Sequence, residues 1–192
     1  MKKKKQIFTY LLLAMVLIAS FFVLNWKAFW MQILYRQGMI LQISEVQIEK
    51  MSLREDRLII PKINVNAPLV LSRGESEKEI QGDLKNGVVY HLNTALPGKA
   101  GIGVITGLSS GLPWESEYRY AFSLLDKLEG GDQIYIFYQG QKFIYKVDKK
   151  EIIVPRQLVS SSTEKENRLI LTTCWPIGTC FKRVLIEAKL EE

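Results

Sequence analysis

Residues 6–26, QIFTYLLLAMVLIASFFVLNW, contain no charged side chain. As a helix this run rises roughly 31 Å, close to the hydrocarbon thickness of a bilayer. That length separates it from the apolar stretch of a cleaved signal peptide, which is usually roughly 7–15 residues. No small-residue cleavage site stands out near its end. The run therefore reads as an uncleaved signal anchor. Trp26, Phe29 and Trp30 sit where an interfacial aromatic belt would lie, and Lys2, Lys3, Lys4 and Lys5 precede the span. Positive charge before the span places residues 1–5 in the cytoplasm and everything after Trp26 outside the cell.

Those four lysines also account for most of the formal charge of +6, so the rest of the chain carries only +2. A nucleic-acid partner is not expected from so small an excess. With 47% apolar residues in 192, the chain can fill one ordinary core beyond the anchor. Residues 27–55 mix apolar, Gln and charged residues at helical spacing, interrupted by Gly38. They are expected to form a helical stalk that lifts the following domain, residues 56–192, off the membrane.

From Arg57 onward the texture is short apolar runs between turn residues: RLIIP, APLVL, NGVVYH, GIGVITG, DQIYIFY, KFIYKVD, EIIVP, RLILTTC and KRVLIEAKL. Strands at this spacing suggest a small mixed barrel, mainly antiparallel. One helix is expected in EYRYAFSLLDKL, whose Tyr120, Leu124, Leu125 and Leu128 recur at helical spacing before Gly130–Gly131. A single histidine and the absence of zinc-ligand spacing leave no expected metal site. The PGKAGIG stretch lacks the Gly-Lys-Ser/Thr ending of a phosphate loop. No cofactor is expected.

The strand ending LTTC and the strand beginning KRVLIEA are joined only by WPIGTCF. If the two strands pair, Cys174 and Arg183 face each other across the mouth of that connection. A nearby guanidinium favours thiolate over thiol and can hold a carbonyl or an oxyanion through its forked donors. By itself, a Cys-to-Arg spacing of nine is a weak signal.

The ordered segments RLIIPKINVNAPLV, NGVVYHLNTALPG, GVITGLSS, FSLLDKLEGGDQIYI and LILTTCWPIGTCFKRVLIEAKL give the chain a wider resemblance, over about residues 56–190. It resembles the sortases, membrane-anchored cysteine transpeptidases of bacterial surfaces. The resemblance implies a mainly β fold, an eight-stranded sortase-type β-barrel with one or two short helices, following the transmembrane helix. It implies Cys174 as nucleophile after Thr173, and Arg183 as the site arginine. The implied partners are a protein bearing an LPXTG-like sorting signal and a cell-wall or pilin amine as acceptor. Thr173 and Trp175 are expected to contact substrate, and Trp114 to line or roof the groove.

The sequence departs from the family pattern where a histidine should follow the Gly of the TGH-like segment, because that residue is Leu108. A leucine cannot give a proton to a leaving amine. Loss of general acid help is worth roughly 10²- to 10⁴-fold in rate. His91, the only histidine, is the candidate substitute acid; a hydrogen-bonded strand-end role competes with it. Tyr90 would point to the opposite face of its strand. Ser109 and Ser110 read as loop hydrogen-bonders.

Cys180 stands where the family more usually has a residue without a thiol. Cys174 and Cys180 bracket a loop holding Pro176 and Gly178, and a disulfide needs Cα atoms within roughly 7 Å. A bridge would cap the nucleophile. A barrel-mouth loop need not bring the two together, so free thiols are the expected state. Two activities follow from these residues: transpeptidation impaired by Leu108, or a catalytically dead relative that binds a sorting signal or partner protein.

Overall fold

The computed structural model describes residues 2–50, 55–112, 114–154 and 166–191. Helix α1 (Lys2–Arg36) carries the charge-free run in its first two-thirds. It ends at Gly38, whose φ of 68° suits a residue without a Cβ. The Met39 N–H bonds to the Leu34 carbonyl and the Gly38 N–H to that of Tyr35, the paired bonds that close a helix C-terminus. After a short α2 (Glu45–Lys50) the chain enters β1 (Arg57–Ile60) and β2 (Val65–Leu71). Then come α3 (Glu77–Asp83), β3 (Val88–Tyr90), β4 (Gly101–Thr106), β5 (Gln133–Tyr138), β6 (Gln141–Ile153), β7 (Asn167–Trp175) and β8 (Lys182–Leu190).

The eight strands close into a barrel in the order β1-β2-β3-β4-β7-β8-β6-β5. Only β2–β3 and β4–β7 are parallel; the other pairings are antiparallel. Alternation along each strand sends one set of side chains inward, including Leu58, Ile60, Val88, Tyr90, Ile105, Ile134, Ile136, Leu169, Leu171, Val184 and Ile186. This is the mixed eight-stranded barrel expected from the sequence. The run KFIYKVD and the EII of EIIVP form one long strand, β6, with its register shifting between Val147 and Lys149; Pro155 lies outside the described residues.

Two local readings need correction. The expected helix in residues 117–128 is a string of turns followed by a single 3-10 turn, Leu125–Lys127. Two of its backbone donors are drawn off, the Phe122 N–H to the Leu108 carbonyl at 2.8 Å and the Tyr118 N–H to Ser116 Oγ at 2.9 Å. The N–H groups of Ala121, Ser123, Leu125, Lys127 and Leu128 bond only to the carbonyl three residues back. The apolar spacing is real, but it fills the end of the barrel, where Phe122, Leu124, Leu125 and Leu128 are buried. Conversely, α3 was not anticipated, although its capping box is written in the sequence. Ser76 Oγ accepts the Glu79 N–H, and the Glu79 side chain reaches back to the Ser76 N–H.

Residues 27–50 do not lift the barrel away from the anchor; they lie against it. A stripe on α1 at helical spacing faces the barrel: Phe21, Asn25, Ala28, Gln32 and Tyr35. Ala28 and Asn25 are buried. Gln32 Nε2 donates to the Ser123 carbonyl at 2.8 Å and to Asp126 Oδ1 at 3.2 Å. Met31 and Tyr35 pack on the barrel core. The chain then runs back over the outside of the barrel, where Ile48 of α2 is buried against Ile59, Tyr135 and Phe137.

Candidate active site

Strand register sets the floor of the site. Thr106 of β4 lies beside Thr172 of β7, and Thr172 beside Leu185 of β8. Cys174 and Arg183 are direct partners in the β7–β8 ladder one pleat further on. Because side chains two apart share a face, Thr172 and Cys174 look outward together, with Arg183 and Leu185 next to them. They form the floor of a groove of about 1260 Å³ on the barrel's outer surface. His91, Thr106, Leu108, Ser109, Cys180 and Glu75 also line it. The expected facing pair of Cys174 and Arg183 is thus present. Arg183 makes no hydrogen bond or ion pair among the described residues, so its guanidinium fork is unengaged.

Cys174 is bonded to Cys180 in a disulfide, with Cα atoms 4.6 Å apart. The expectation of free thiols is corrected here. The connection from Trp175 to Phe181 turns tightly through Gly178, whose φ is 78°. The turn is tied down on one side by the Thr179 N–H to Pro176 carbonyl bond at 3.0 Å. On the other side Ser110 Oγ accepts the Gly178 N–H at 3.1 Å. Ser109 Oγ donates to the Cys174 carbonyl at 2.9 Å. The two serines therefore act as loop hydrogen-bonders that clamp the segment after β4 onto the segment after β7.

Leu108 sits between those clamps and the end of β4, on the groove wall next to Cys174. Its carbonyl holds the Phe122 N–H. Gly107 before it is packed so closely on the Phe122 ring that an added Cβ would come within 2.5 Å of a ring carbon. The side chain at the position expected for an acid is aliphatic and lines the groove.

His91 lines the same groove, but on the far side of β4 from Cys174. Its Nε2 is 2.8 Å from Thr106 Oγ1. Two strand spacings, roughly 9–10 Å, separate the two strands laterally, and His91 is level with Ile170, four residues along β7 from Cys174. Direct proton transfer requires about 2.6–3.2 Å, or one bridging water. Burial, followed by the positive charge of Arg183, pushes the imidazole below its ordinary value near 6.5, with Glu75 opposing. His91 is accordingly neutral at pH 7 and hydrogen-bonded in place. Tyr90 points into the barrel as expected, its hydroxyl donating to the Ala95 carbonyl. Burial pushes that phenol far above its usual range, which removes it as a proton donor to the groove.

Thr173, an expected substrate contact, borders the groove but is buried with its hydroxyl turned inward, where Oγ1 donates to the Gly107 carbonyl at 2.7 Å and fixes the end of β4. Trp175 does not line the groove but packs half-buried on the barrel core, with Lys182 Nζ 5.9 Å from its ring centroid. Trp114 is 76% exposed and also lies outside the groove lining. One group went unnoticed in the sequence: Thr172, whose buried Oγ1 has no hydrogen-bond partner. The signal was available in TTC, where the threonine two before the cysteine must share its face.

The sortase-domain family model matches residues 58–191. No curated protein matches the sequence. Among solved structures, sortase C1 of GBS pilus island 1 is similar at 32% identity and a TM-score of 0.60, over 71% of this chain and 64% of that one. The chain thus spans somewhat less than two-thirds of that relative. Sortase C from Streptococcus pneumoniae is similar at 27% identity and a TM-score of 0.60, over 78% and 73% of the two chains. Sortase C-1 from Actinomyces oris is similar at 26% identity and the same TM-score, over 71% and 73%.

Proposed function

Since the chain belongs to the sortase family, we propose that it is a membrane-anchored cysteine transpeptidase. Its nucleophile, Cys174, is released by reduction, and its acid position is vacant. The observation that carries the reading is the Cys174–Arg183 pair on the groove floor, with the guanidinium unengaged. The resemblance to pilin-type sortases supports a protein substrate with an LPXTG-like sorting signal and a cell-wall or pilin amine as acceptor. The charge-free part of α1 supports a single-pass anchor, and the lysines before it support a cytoplasmic N-terminus and an external barrel.

The steps follow from the residues. A dithiol reductant gives two electrons and two protons to the disulfide, becomes a disulfide itself, and leaves Cys174 and Cys180 as thiols. Arg183 favours the Cys174 thiolate electrostatically. The thiolate attacks the Thr–Gly carbonyl carbon, and the guanidinium donates to the oxygen as it gains charge. The C–N bond then breaks and the amine departs with a proton. In this chain that proton comes from solvent, because Leu108 has none and His91 lies two strand spacings away, across β4. An acceptor amine attacks the thioester carbonyl and gives up a proton to solvent as the C–S bond breaks, restoring the thiolate and forming the new amide. Acylation is the slow step.

Leu108 and the disulfide together favour a second reading, a receptor that binds a sorting signal without turning it over. A fluorogenic LPXTG-type peptide with the reduced full chain in detergent separates the two. Slow cleavage that disappears in Cys174→Ala supports the enzyme. Saturable binding with no cleavage, unchanged in Cys174→Ala, supports the receptor.

A further inference from the structure

The contact between α1 and the barrel sets the depth of the active-site end. An added Cβ at Gly178 would lie 2.7 Å from the Phe21 ring and 3.1 Å from Asn25 Cγ, so the Cys174–Cys180 loop is in direct contact with these two residues. Both lie inside the charge-free run, whose last residue is Trp26. Phe21 is about 7 Å below Trp26 along the helix axis. A loop touching Phe21 and Asn25 therefore cannot stand clear of the bilayer when residues 6–26 span it.

The surrounding groups have the chemistry of that depth. The Tyr120 hydroxyl bonds to the Leu24 carbonyl, and Lys27 Nζ and the Arg119 guanidinium sit 5.7 and 4.8 Å from the Tyr120 ring centroid. Trp26 and Trp30 are stacked and exposed on the same stretch of helix. The two loops that clamp each other beside Gly178 each carry an aromatic that is 76% exposed, Phe181 and Trp114. Tryptophan, tyrosine and snorkelling cations are the residues that settle at a membrane interface. Glu115 and Glu117 share the Trp114 loop and are exposed, which argues against a surface selective for anionic lipid.

We propose that Phe181 and Trp114 insert into the outer headgroup layer of the bilayer, so that the groove end formed by Leu108–Ser110 and Gly178–Cys180 opens at the lipid surface. The lipid surface is then a second binding partner of the barrel. This inference rests on the anchor reading given above.

The test uses the full chain reconstituted in phosphatidylcholine vesicles whose acyl chains are brominated at shallow or deep positions. Three single-tryptophan reporters are compared: native Trp114 with the other tryptophans changed to phenylalanine, and Phe181→Trp and Leu13→Trp in chains otherwise free of tryptophan. Far-UV circular dichroism checks that each is folded, and the two loop reporters provide independent measurements. The expected result is strong quenching of the Leu13→Trp reporter by deep bromines. Both loop reporters should lose intensity with shallow bromines and emit to the blue of N-acetyltryptophanamide in buffer. If Leu13→Trp is quenched while both loop reporters emit as in water, the barrel stands off the bilayer and the inference is overturned, with the anchor intact. If Leu13→Trp is itself unquenched, the anchor reading fails and the inference falls with it.

Discussion

Cys174 and Arg183 are register partners in the β7–β8 ladder, yet the sulfur is bonded to Cys180 and the guanidinium to nothing described. The nucleophile is masked while its electrostatic partner stands ready. Once the disulfide is reduced, Arg183→Ala should lower peptide cleavage by roughly 10²- to 10³-fold, the loss seen when an oxyanion donor is removed. Arg183→Lys should fall between wild type and Ala, because it keeps the charge and loses the fork. Steady-state kinetics on the reduced proteins check the order.

Leu108 lines the groove that holds Cys174, at the position we propose for the missing acid. Leu108→His should raise cleavage by the reduced chain roughly 10²- to 10⁴-fold and give a bell-shaped pH profile. His91→Ala should leave the rate of the Leu108 chain within a few-fold, since the imidazole is held on Thr106 across β4. A collapse of activity in His91→Ala would show that a relay reaches Cys174.

The lowered pKa of His91 makes a stability prediction with a definite sign. The folded state holds this ring neutral, so the unfolded chain binds more protons as the pH falls. Its contribution is complete above the ordinary value near 6.5 and is lost as pH falls from there toward the lower folded value. Thermal melts should show His91→Gln losing less stability than wild type between pH 7 and pH 5.

Gln32 joins α1 to the turns before β5 through two hydrogen bonds. Gln32→Ala should destabilise the full chain by about 1–2 kcal/mol, the net worth of two such bonds. The same change should increase amide exchange at Ser123 to Lys127. Unchanged exchange there would mean the helix does not hold the barrel end.

The barrel was readable because its strands are short, apolar and separated by turn residues, and the site cysteine and arginine lie at the ends of two such strands. Other features depend on tertiary partners that a local pattern does not contain. Residues 117–128 have helical spacing, but Leu108 and Ser116 capture two of their donors and five others bond only three residues back, as turns. The docking stripe on α1 starts inside the charge-free run and continues past Lys27, with Asn25 and Gln32 as its amide-bearing members, so no local pattern separates it from the lipid-facing sides. The disulfide depends on the turn at Gly178, which Ser110 and α1 hold closed. His91 and Cys174 share one groove, and only the strand order reveals that β4 separates them.

The most direct test is intact-mass spectrometry of the full chain with an LPXTG-type peptide, with and without a dithiol reductant. Our account predicts no adduct on the oxidised chain, a slowly forming thioester on the reduced chain, faster formation in Leu108→His, and none in Cys174→Ala. An adduct on the oxidised chain, or none on reduced Leu108→His that still binds the peptide, would contradict it.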